Sequence, residues 1–382
     1  MPAAADLKRS QLLAYRILAS GLDRTQGPIE QLALWGLGLQ DRSGTAAQAL
    51  AARVSGGELG RWLAGPPTVG DPAERTTFAL AWTWRGSPHF HRRADLPRVA
   101  AALWPADEQD AVARLGGSGT ALSKAGVAAL DGYREVSAAM RRIVTEPRSK
   151  SAVSTAATAA VPAFATWCRP CGIEHVPEML FRSTPLFAGV GLVPGQPATL
   201  APLDPVLDRP AEHSGQAAFV RTYLELYGAG TMAEVADFLG VAAGRVRPDW
   251  PAPVPVVVDG IRLLTSEDLL AAVVAADADR AAQPVRLLPP GDPLLQPRER
   301  AVTIPDKAAW KALWPPIGPA GAVLAAGALA GTWRTRKAGK SLQITVSPFG
   351  RLPAATRSAV EAEAQLVGLA RGADAVQVAF DG

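Results

Sequence analysis

"TMAEVADFLGVAAGRVR", Thr231 to Arg247, is the stretch on which the reading of the fold turns. Thr231 is a good N-cap, and Glu234 three residues later completes a capping box, so the first free N–H groups of a helix are satisfied reciprocally. Gly240 supplies the tight turn that ends this helix, and Val241 to Val246 begins another. Upstream, Phe219, Val220, Tyr223, Leu224 and Tyr227 fall on one helical stripe that stops at Gly228-Ala229-Gly230. Three helices in this order, with a glycine turn before the last, are the core of a helix-turn-helix over residues 213–247. Its final helix commonly lies in the major groove of DNA. Arg245 and Arg247 then sit on that helix or just beyond it, as candidate DNA contacts.

Many helix pairs joined by glycine never meet DNA, so support has to come from elsewhere in the chain. Its 382 residues suggest two or three compact units. With 48% hydrophobic and 19% charged residues the chain is a folded one, not a disordered one. The start, MPAAADLKRS, lacks a basic region followed by an apolar run, and no stretch reaches the roughly 18 apolar residues that span a bilayer. The expectation is a cytoplasmic, nucleoid-associated protein with no membrane partner. A net charge of +4 is modest, so a face for nucleic acid has to be local. From Arg298 to Arg351 there are nine positive residues, among them Arg334, Arg336, Lys337 and Lys340, against Glu299 and Asp306, a local excess of +7. Backbone phosphates are the natural partner of such a cluster, and a solvated surface is the plain alternative.

Periodicity places a helix over Asp6 to Leu18 and a second starting at Pro28 with Ile29, Leu32 and Trp35 inward. "TFALAWTWRGSPHFHRR", from Thr77, reads as a hairpin broken at Gly86-Ser87-Pro88. A long helix is expected from Thr120 to Thr145, closed by Pro147, and a small-residue helix over Ser149 to Val161. Pro194 to Pro210 reads as a wing or linker, and Ala322 to Val346 as a β-meander punctuated by Gly327, Gly331 and Gly339.

On an extended arm His89 and His91 point one way and Phe90 the other. With Arg85, Arg92 and Arg93 beside them, the two histidines are expected to form a phosphate-contacting face, against the alternative of two structural histidines. Both cysteines lie in Cys168-Arg169-Pro170-Cys171, with His175 four residues on. Two thiolates and an imidazole suit zinc, but a structural site takes four ligands and no second cysteine pair exists; Glu174, Glu178 or His213 would have to serve. The preferred reading is a pair of reduced thiols packed under the wing, with no metal, which leaves Cys168, Cys171 and His175 as weak metal candidates. No phosphate-binding glycine loop, dinucleotide fingerprint or Gly-x-Ser-x-Gly elbow is present, so ATPase, dehydrogenase and serine-hydrolase readings fall away and no nucleotide cofactor is expected.

Several segments together resemble the AlkZ-like winged-helix DNA glycosylases and their bacterial winged-helix relatives. They are "LGLQD" (Leu37–Asp41), "RGSPHFHRRADL" (Arg85–Leu96), "WCRPCGIEHVPEMLFR" (Trp167–Arg182), "LLPPGDPLLQPRERAVTIPD" (Leu287–Asp306) and "GTWRTRKAGKSLQITVSPF" (Gly331–Phe349). The resemblance implies an α+β fold of tandem winged-helix units followed by a small C-terminal β-barrel or β-meander, wrapped as a curved scaffold around duplex DNA. The divisions expected are an N-terminal winged-helix domain over 1–145, central winged-helix domains over 146–285 and a β-rich domain over 286–382. It further implies excision of alkylated or crosslinked bases by a monomer, without metal or cofactor, and a short Gln-apolar-Gln or Gln-apolar-Asp motif that positions the attacking water.

Here the chain departs from that pattern. Against "GLGLQD" the second motif position is Gln40, but the first falls on Gly38, which has no side chain; in another register Gln40 and Asp41 are the polar pair, adjacent instead of separated. Gln40 and Asp41 are the candidate catalytic residues, and the missing first glutamine makes a DNA binder the leading expectation over an active glycosylase. A sequence-specific regulator reading DNA with Thr231 to Arg247 is the alternative, and it would dimerise on paired half-sites.

Overall fold

The computed structural model describes residues 4–65, 77–196, 198–204, 206–297 and 299–381. Contacts divide the chain into two units, one drawn from residues 1–75, 221–234 and 250–382, the other from 76–220 and 235–249. Segments far apart in sequence therefore share each core. Thr231 to Arg247 supplies residues to both units.

The first unit is organised around the Arg9–Ala19 helix, which buries Leu12, Leu13 and Ile17. Arg16 is buried on the same helix, and its Nε and Nη2 donate to the carbonyls of Tyr227 (2.9 Å) and Ala229 (3.1 Å). Carbonyls at a helix end have no intrahelical donor, so the guanidinium closes the end of the Ala217–Tyr227 helix. Ala5–Asp6 pairs in parallel with Val254–Val258, which turns at Asp259-Gly260 into the antiparallel Ile261–Thr265. Both turn residues have positive φ, 48° and 81°, as a tight two-residue hairpin turn requires. The helix expected from Pro28 is not formed: two short 3-10 segments, Ile29–Gln31 and Ala33–Gly36, stand in its place, with Ile29, Leu32 and Trp35 buried as expected.

The C-terminal part of this unit is a five-stranded sheet in the order Arg286–Leu288, Gly321–Ala325, Ala328–Ala338, Ser341–Pro348, Ala375–Phe380. The three central strands make the expected meander. The last strand joins in parallel after the Ala354–Ala370 helix, which lays Val360, Ala364 and Val367 against Leu287, Trp333, Leu342 and Ile344. A β-barrel is not formed: among the described residues no sheet closes on itself, because this crossover returns the chain to an outer edge and leaves the sheet open.

The second unit holds an antiparallel sheet ordered Pro88–Arg92, Phe78–Trp82, Val190–Leu192, Thr199–Pro202, Arg148–Ser149. The 78–92 hairpin forms as the alternation predicts. The single helix expected over 120–145 is two, Gly117–Lys124 and Ala129–Ile143. Gly126 adopts φ 73°, and the Val127 N–H reaches back to the Leu122 carbonyl at 3.0 Å, a glycine-dependent helix stop. The second helix restarts on a carboxylate from elsewhere, Glu108 accepting the N–H groups of Ala129 and Leu130 at 2.7 and 2.8 Å.

The capping box at Thr231 is present as read: the Glu234 N–H donates to Thr231 Oγ1 at 3.1 Å, and the Thr231 N–H donates to Glu234 Oε2 at 2.8 Å. Gly240 takes φ 71°. The helix after it is only Ala243–Val246, followed by a 3-10 turn over Arg247–Asp249. Gly244 and Pro248 account for its brevity, the one by its entropy cost and the other by having no N–H to continue the ladder.

Candidate functional site

Gln40 lies at the end of the two-residue strand Leu39–Gln40, between glycines and a serine in left-handed conformations: Gly38 at φ 78°, Ser43 at 57° and Gly44 at 88°. The backbone is thus bent on either side of the motif, and the vacancy at Gly38 is a conformational requirement and not merely a missing side chain. Gln40 is 7% exposed, and its Nε2 has no hydrogen-bond partner among the described residues. A buried amide N–H without an acceptor is costly unless something else fills the role.

Asp41 has a different task. Its Oδ1 accepts the N–H groups of Gly44 and Ala46, both at 3.0 Å, and the Arg42 N–H donates to Thr45 Oγ1 at 2.8 Å, so Asp41 and Thr45 together set the start of the Thr45–Ala51 helix. Burial raises the Asp41 pKa above the usual carboxylate range, while the two N–H groups act in the opposite sense. The adjacent pair of polar residues therefore divides: one side chain fastens the fold, and the other is left with unmet hydrogen-bonding capacity.

The neighbourhood of Gln40 holds residues whose role was not evident from the sequence. A Cβ placed on Gly291 would come 3.9 Å from Gln40 Oε1, and Gly291 is exposed with φ 80°, so the amide lies directly beneath a surface turn. The next residue, Asp292, pairs with Arg53 through Oδ2 to Nη1 at 2.7 Å and Oδ1 to Nη2 at 2.9 Å, both side chains having no exposure. Asp292 also caps the Pro293–Leu295 turn by accepting the Leu294 N–H at 3.0 Å. An aspartate just before a proline at the first position of a helical turn is a readable capping signal in "PPGDPLL"; its distant partner Arg53 is not.

The two histidines lie on one side of their strand, as alternation requires, but that side faces inward. His89 is 1% and His91 0% exposed, so the expected phosphate-facing surface is not formed by them. Thr83 Oγ1 lies 3.1 Å from His89 Nδ1 and 3.0 Å from His91 Nε2, while His89 Nδ1 is 2.9 Å from the Ser87 carbonyl. A carbonyl only accepts, so His89 Nδ1 carries a proton and the Thr83 hydroxyl donates to a neutral His91. Burial pushes the His91 pKa down to about 4. His91 lies edge-on to the fully buried Trp84, ring centroids 6.5 Å apart, and His89 lies 6.0 Å from His91, so both imidazoles belong to the core.

The arginines beside them remain at the surface, each with a partner. Arg85 is an exposed non-glycine residue at φ 56°, 3.7 Å from Asp237 and stacked over Phe238. Arg92 donates to Asp95 at 2.7 Å, and Arg93 to the Asp204 carbonyl at 2.8 Å. Arg245, on the one-turn helix, is paired with Asp107 at 2.6 Å, whereas Arg247 is exposed on the following turn.

In the C-terminal sheet the basic cluster separates by strand alternation. Arg334 and Arg336 point to the exposed side, Arg334 donating to the Gly318 carbonyl at 2.7 Å. Lys337 instead donates to the Arg371 carbonyl at 2.6 Å, at the C-terminal end of the Ala354–Ala370 helix, where a cation meets unpaired carbonyls. Lys340 pairs with Asp374 at 3.0 Å. Arg298, the first residue of the cluster, lies outside the described residues.

Cys168, Cys171 and His175 do come together: their ligand atoms all lie within 4.8 Å of one another. They stand at the surface on the hairpin Thr166–Cys168 and Ile173–His175, with Cys171 exposed, so the expected burial of the thiols under a wing is not what is found. The Cys171 N–H directed at Cys168 sulfur lowers the Cys168 pKa, helped by the Cys171 thiol and His175. Among the described residues no helix is long and apolar enough to cross a membrane.

The sequence pattern of the family described as DNA glycosylase AlkZ-like matches residues 33–369. Among solved structures, Streptomyces sahachiroi DNA glycosylase AlkZ superposes with a TM-score of 0.70, covering 98% of this chain and 100% of that one at 18% identity, a likeness of fold. No curated protein sequence matches. With its pattern spanning most of the chain, the protein belongs to the AlkZ-like DNA glycosylase family.

Proposed function

We propose that the chain is a duplex-DNA-binding protein built of tandem winged-helix modules, that it engages alkylated or crosslinked bases as a monomer, and that it excises them slowly. Element order supports the modular part. Helix, short strand, helix, helix and hairpin occur in that order in Ala129–Ile143, Arg148–Ser149, Lys150–Ala160, Glu178–Ser183 and Val190–Leu192 with Thr199–Pro202, with the 166–175 hairpin inserted between the second and third helices. The order recurs in Ala217–Tyr227, Gly230, Met232–Leu239, Ala243–Val246 and Val254–Val258 with Ile261–Thr265. In both, the short strand pairs with the hairpin's outer strand, Arg148 with Leu200 and Gly230 with Leu264. Arg9–Ala19, Leu39–Gln40, Thr45–Ala51, Gly56–Leu63 and the 78–92 hairpin repeat the order again, and Gln40 falls on that short strand. This is the arrangement in which a helix-turn-helix carries its wing.

The observation that carries the catalytic part is the division of labour at the motif. Cleavage of a glycosidic bond builds positive charge on the sugar while water attacks, so a group that hydrogen-bonds to that water and fixes its position lowers the barrier. Gln40 has a buried amide beneath a surface turn whose Nε2 has no acceptor among the described residues, a donor available to hold the oxygen of a water. Asp41 is engaged in capping, and Gly38 offers nothing. One positioning group in place of two gives base release that is real but slow. The one-turn helix at Ala243–Val246, with Arg245 already paired to Asp107, weighs against a regulator that reads sequence with that helix.

Binding to random-sequence duplexes with and without one 7-methylguanine, followed by single-turnover base release, tests the reading. Expected are monomeric binding independent of sequence and slow release above the spontaneous rate. A defined palindromic footprint made by a dimer would overturn it.

A further inference from the structure

The hairpin that carries the two cysteines has little of its own to hold it. Its strands are three residues each, paired Thr166 to His175, Trp167 to Glu174 and Cys168 to Ile173, and no third strand joins them among the described residues. Trp167 is 65% and Ile173 56% exposed, so the apolar side chains that ordinarily stabilise such a pair face water. An isolated two-stranded hairpin is marginal without a core or a crosslink.

At its tip the backbone is shaped as a ligand loop. Cys168 and Cys171 are two residues apart, Gly172 takes φ 67°, and the Gly172 N–H closes the turn on the Cys168 carbonyl at 2.8 Å. His175 Nδ1 lies 2.7 Å from the Val176 carbonyl. Since the carbonyl only accepts, Nδ1 bears the proton and Nε2 keeps its lone pair, which is how outer hydrogen bonds orient metal-binding imidazoles. With Zn–S of about 2.3 Å, tetrahedral geometry places ligand atoms about 3.8 Å apart, so a cluster already within 4.8 Å needs only small side-chain rotations.

We propose that Cys168 Sγ, Cys171 Sγ and His175 Nε2 bind one zinc ion that clips the 166–175 hairpin, with water as the fourth ligand. Soft thiolates with an imidazole favour zinc over magnesium or calcium. The other candidate ligand side chains are committed elsewhere or absent from the cluster. Glu178 is held by Lys150 at 2.6 Å and by Arg182, and His213 Nδ1 lies 2.8 Å from the Trp104 carbonyl. Glu174 is not among the grouped ligands. The exposed position of Cys171 leaves room for the water.

The full chain, loaded with zinc and freed of excess by gel filtration, should carry about one zinc per chain, and Cys168→Ser with Cys171→Ser should lower this to background. Cobalt in place of zinc should give intense thiolate charge-transfer absorption that is lost in the same variant. Should that variant not fold, hydrogen exchange of the wild-type 166–175 amides decides, since zinc should slow it and a chelator restore it. Wild type that retains no more zinc than the double variant, or exchange indifferent to zinc, would overturn the proposal. So would a Cys168–Cys171 disulfide in the zinc-treated protein.

Discussion

Arg53 and Asp292, 239 residues apart, meet through two parallel N–H···O bonds of 2.7 and 2.9 Å with neither side chain exposed to water. Arg53 also donates to the Ser20 and Ala49 carbonyls, both at 2.8 Å, so this single guanidinium ties the first helix, the helix after Gln40 and the turn at Gly291. Removing one member of a buried pair leaves the other charge unmatched.

Asp292→Ala and Arg53→Met should each lower the unfolding free energy by about 3–5 kcal/mol, read from urea titrations. The double variant should lose much less than the sum, because no stranded charge remains. Strict additivity would mean that the two side chains do not depend on each other.

The basic strand offers a test that separates binding from folding. If Arg334 and Arg336 contact phosphates, replacing both with alanine should flatten the plot of log K against log salt by about 1–2 units for any duplex. Lys337→Ala should leave that slope alone and cost about 0.3–1 kcal/mol of stability, since its ammonium serves the Arg371 carbonyl. The reverse assignment, with Lys337 alone governing the salt slope, would place the contacting face on the other side of the sheet.

The buried His91 predicts an acid weakness. Burial is the first cause of its lowered pKa, with Arg98 in the same sense and Asp95 opposed. The unfolded chain takes up this proton near pH 6.5 and the folded chain only near 4, so the unfolded state binds more protons between those values. Stability should therefore be intact above about pH 6.5 and decline as pH falls towards 4, by about 3 kcal/mol from this group. Urea midpoints for wild type and His91→Asn across that range would show it: the variant's should vary less. Parallel curves would assign the acid lability to other groups.

How much of this was legible in the sequence depended on the distance over which each signal acts. The Thr231 capping box, the 78–92 hairpin and the central C-terminal strands rest on neighbours in the chain, and local chemistry specified them. The split of the 120–145 helix was also local, but Gly126 was outweighed in the reading by the apolar periodicity on either side. The burial of His89 and His91 was not accessible, because alternation says which side chains share a face and nothing about which face is covered. Arg53 with Asp292 belongs to the same class, a pairing that only the tertiary fold creates. At the candidate site, Gln40 was readable as a residue type in a motif, whereas the tasks of Asp41 and Gly38 needed the backbone.

That backbone yields the sharpest prediction. Gln40→Ala removes the amide whose buried Nε2 has no partner among the described residues, and single-turnover release of 7-methylguanine should fall by roughly 10²-fold, to near the spontaneous rate, with duplex affinity nearly unchanged. Asp41→Asn keeps an oxygen able to accept from the Gly44 and Ala46 N–H groups, so the helix start survives. Its release rate should stay within a few-fold of wild type, and its stability should drop by no more than about 1 kcal/mol. Restoring a glutamine at the first motif position does not repair the site: at φ 78° a side chain is strained by about 1–2 kcal/mol, so Gly38→Gln should lose stability without gaining rate. A collapse of release in Asp41→Asn, with its fold and DNA affinity intact, would make the carboxylate a catalytic group and refute the division of labour between the two residues. A faster Gly38→Gln enzyme would show that the strand can re-form around a second glutamine.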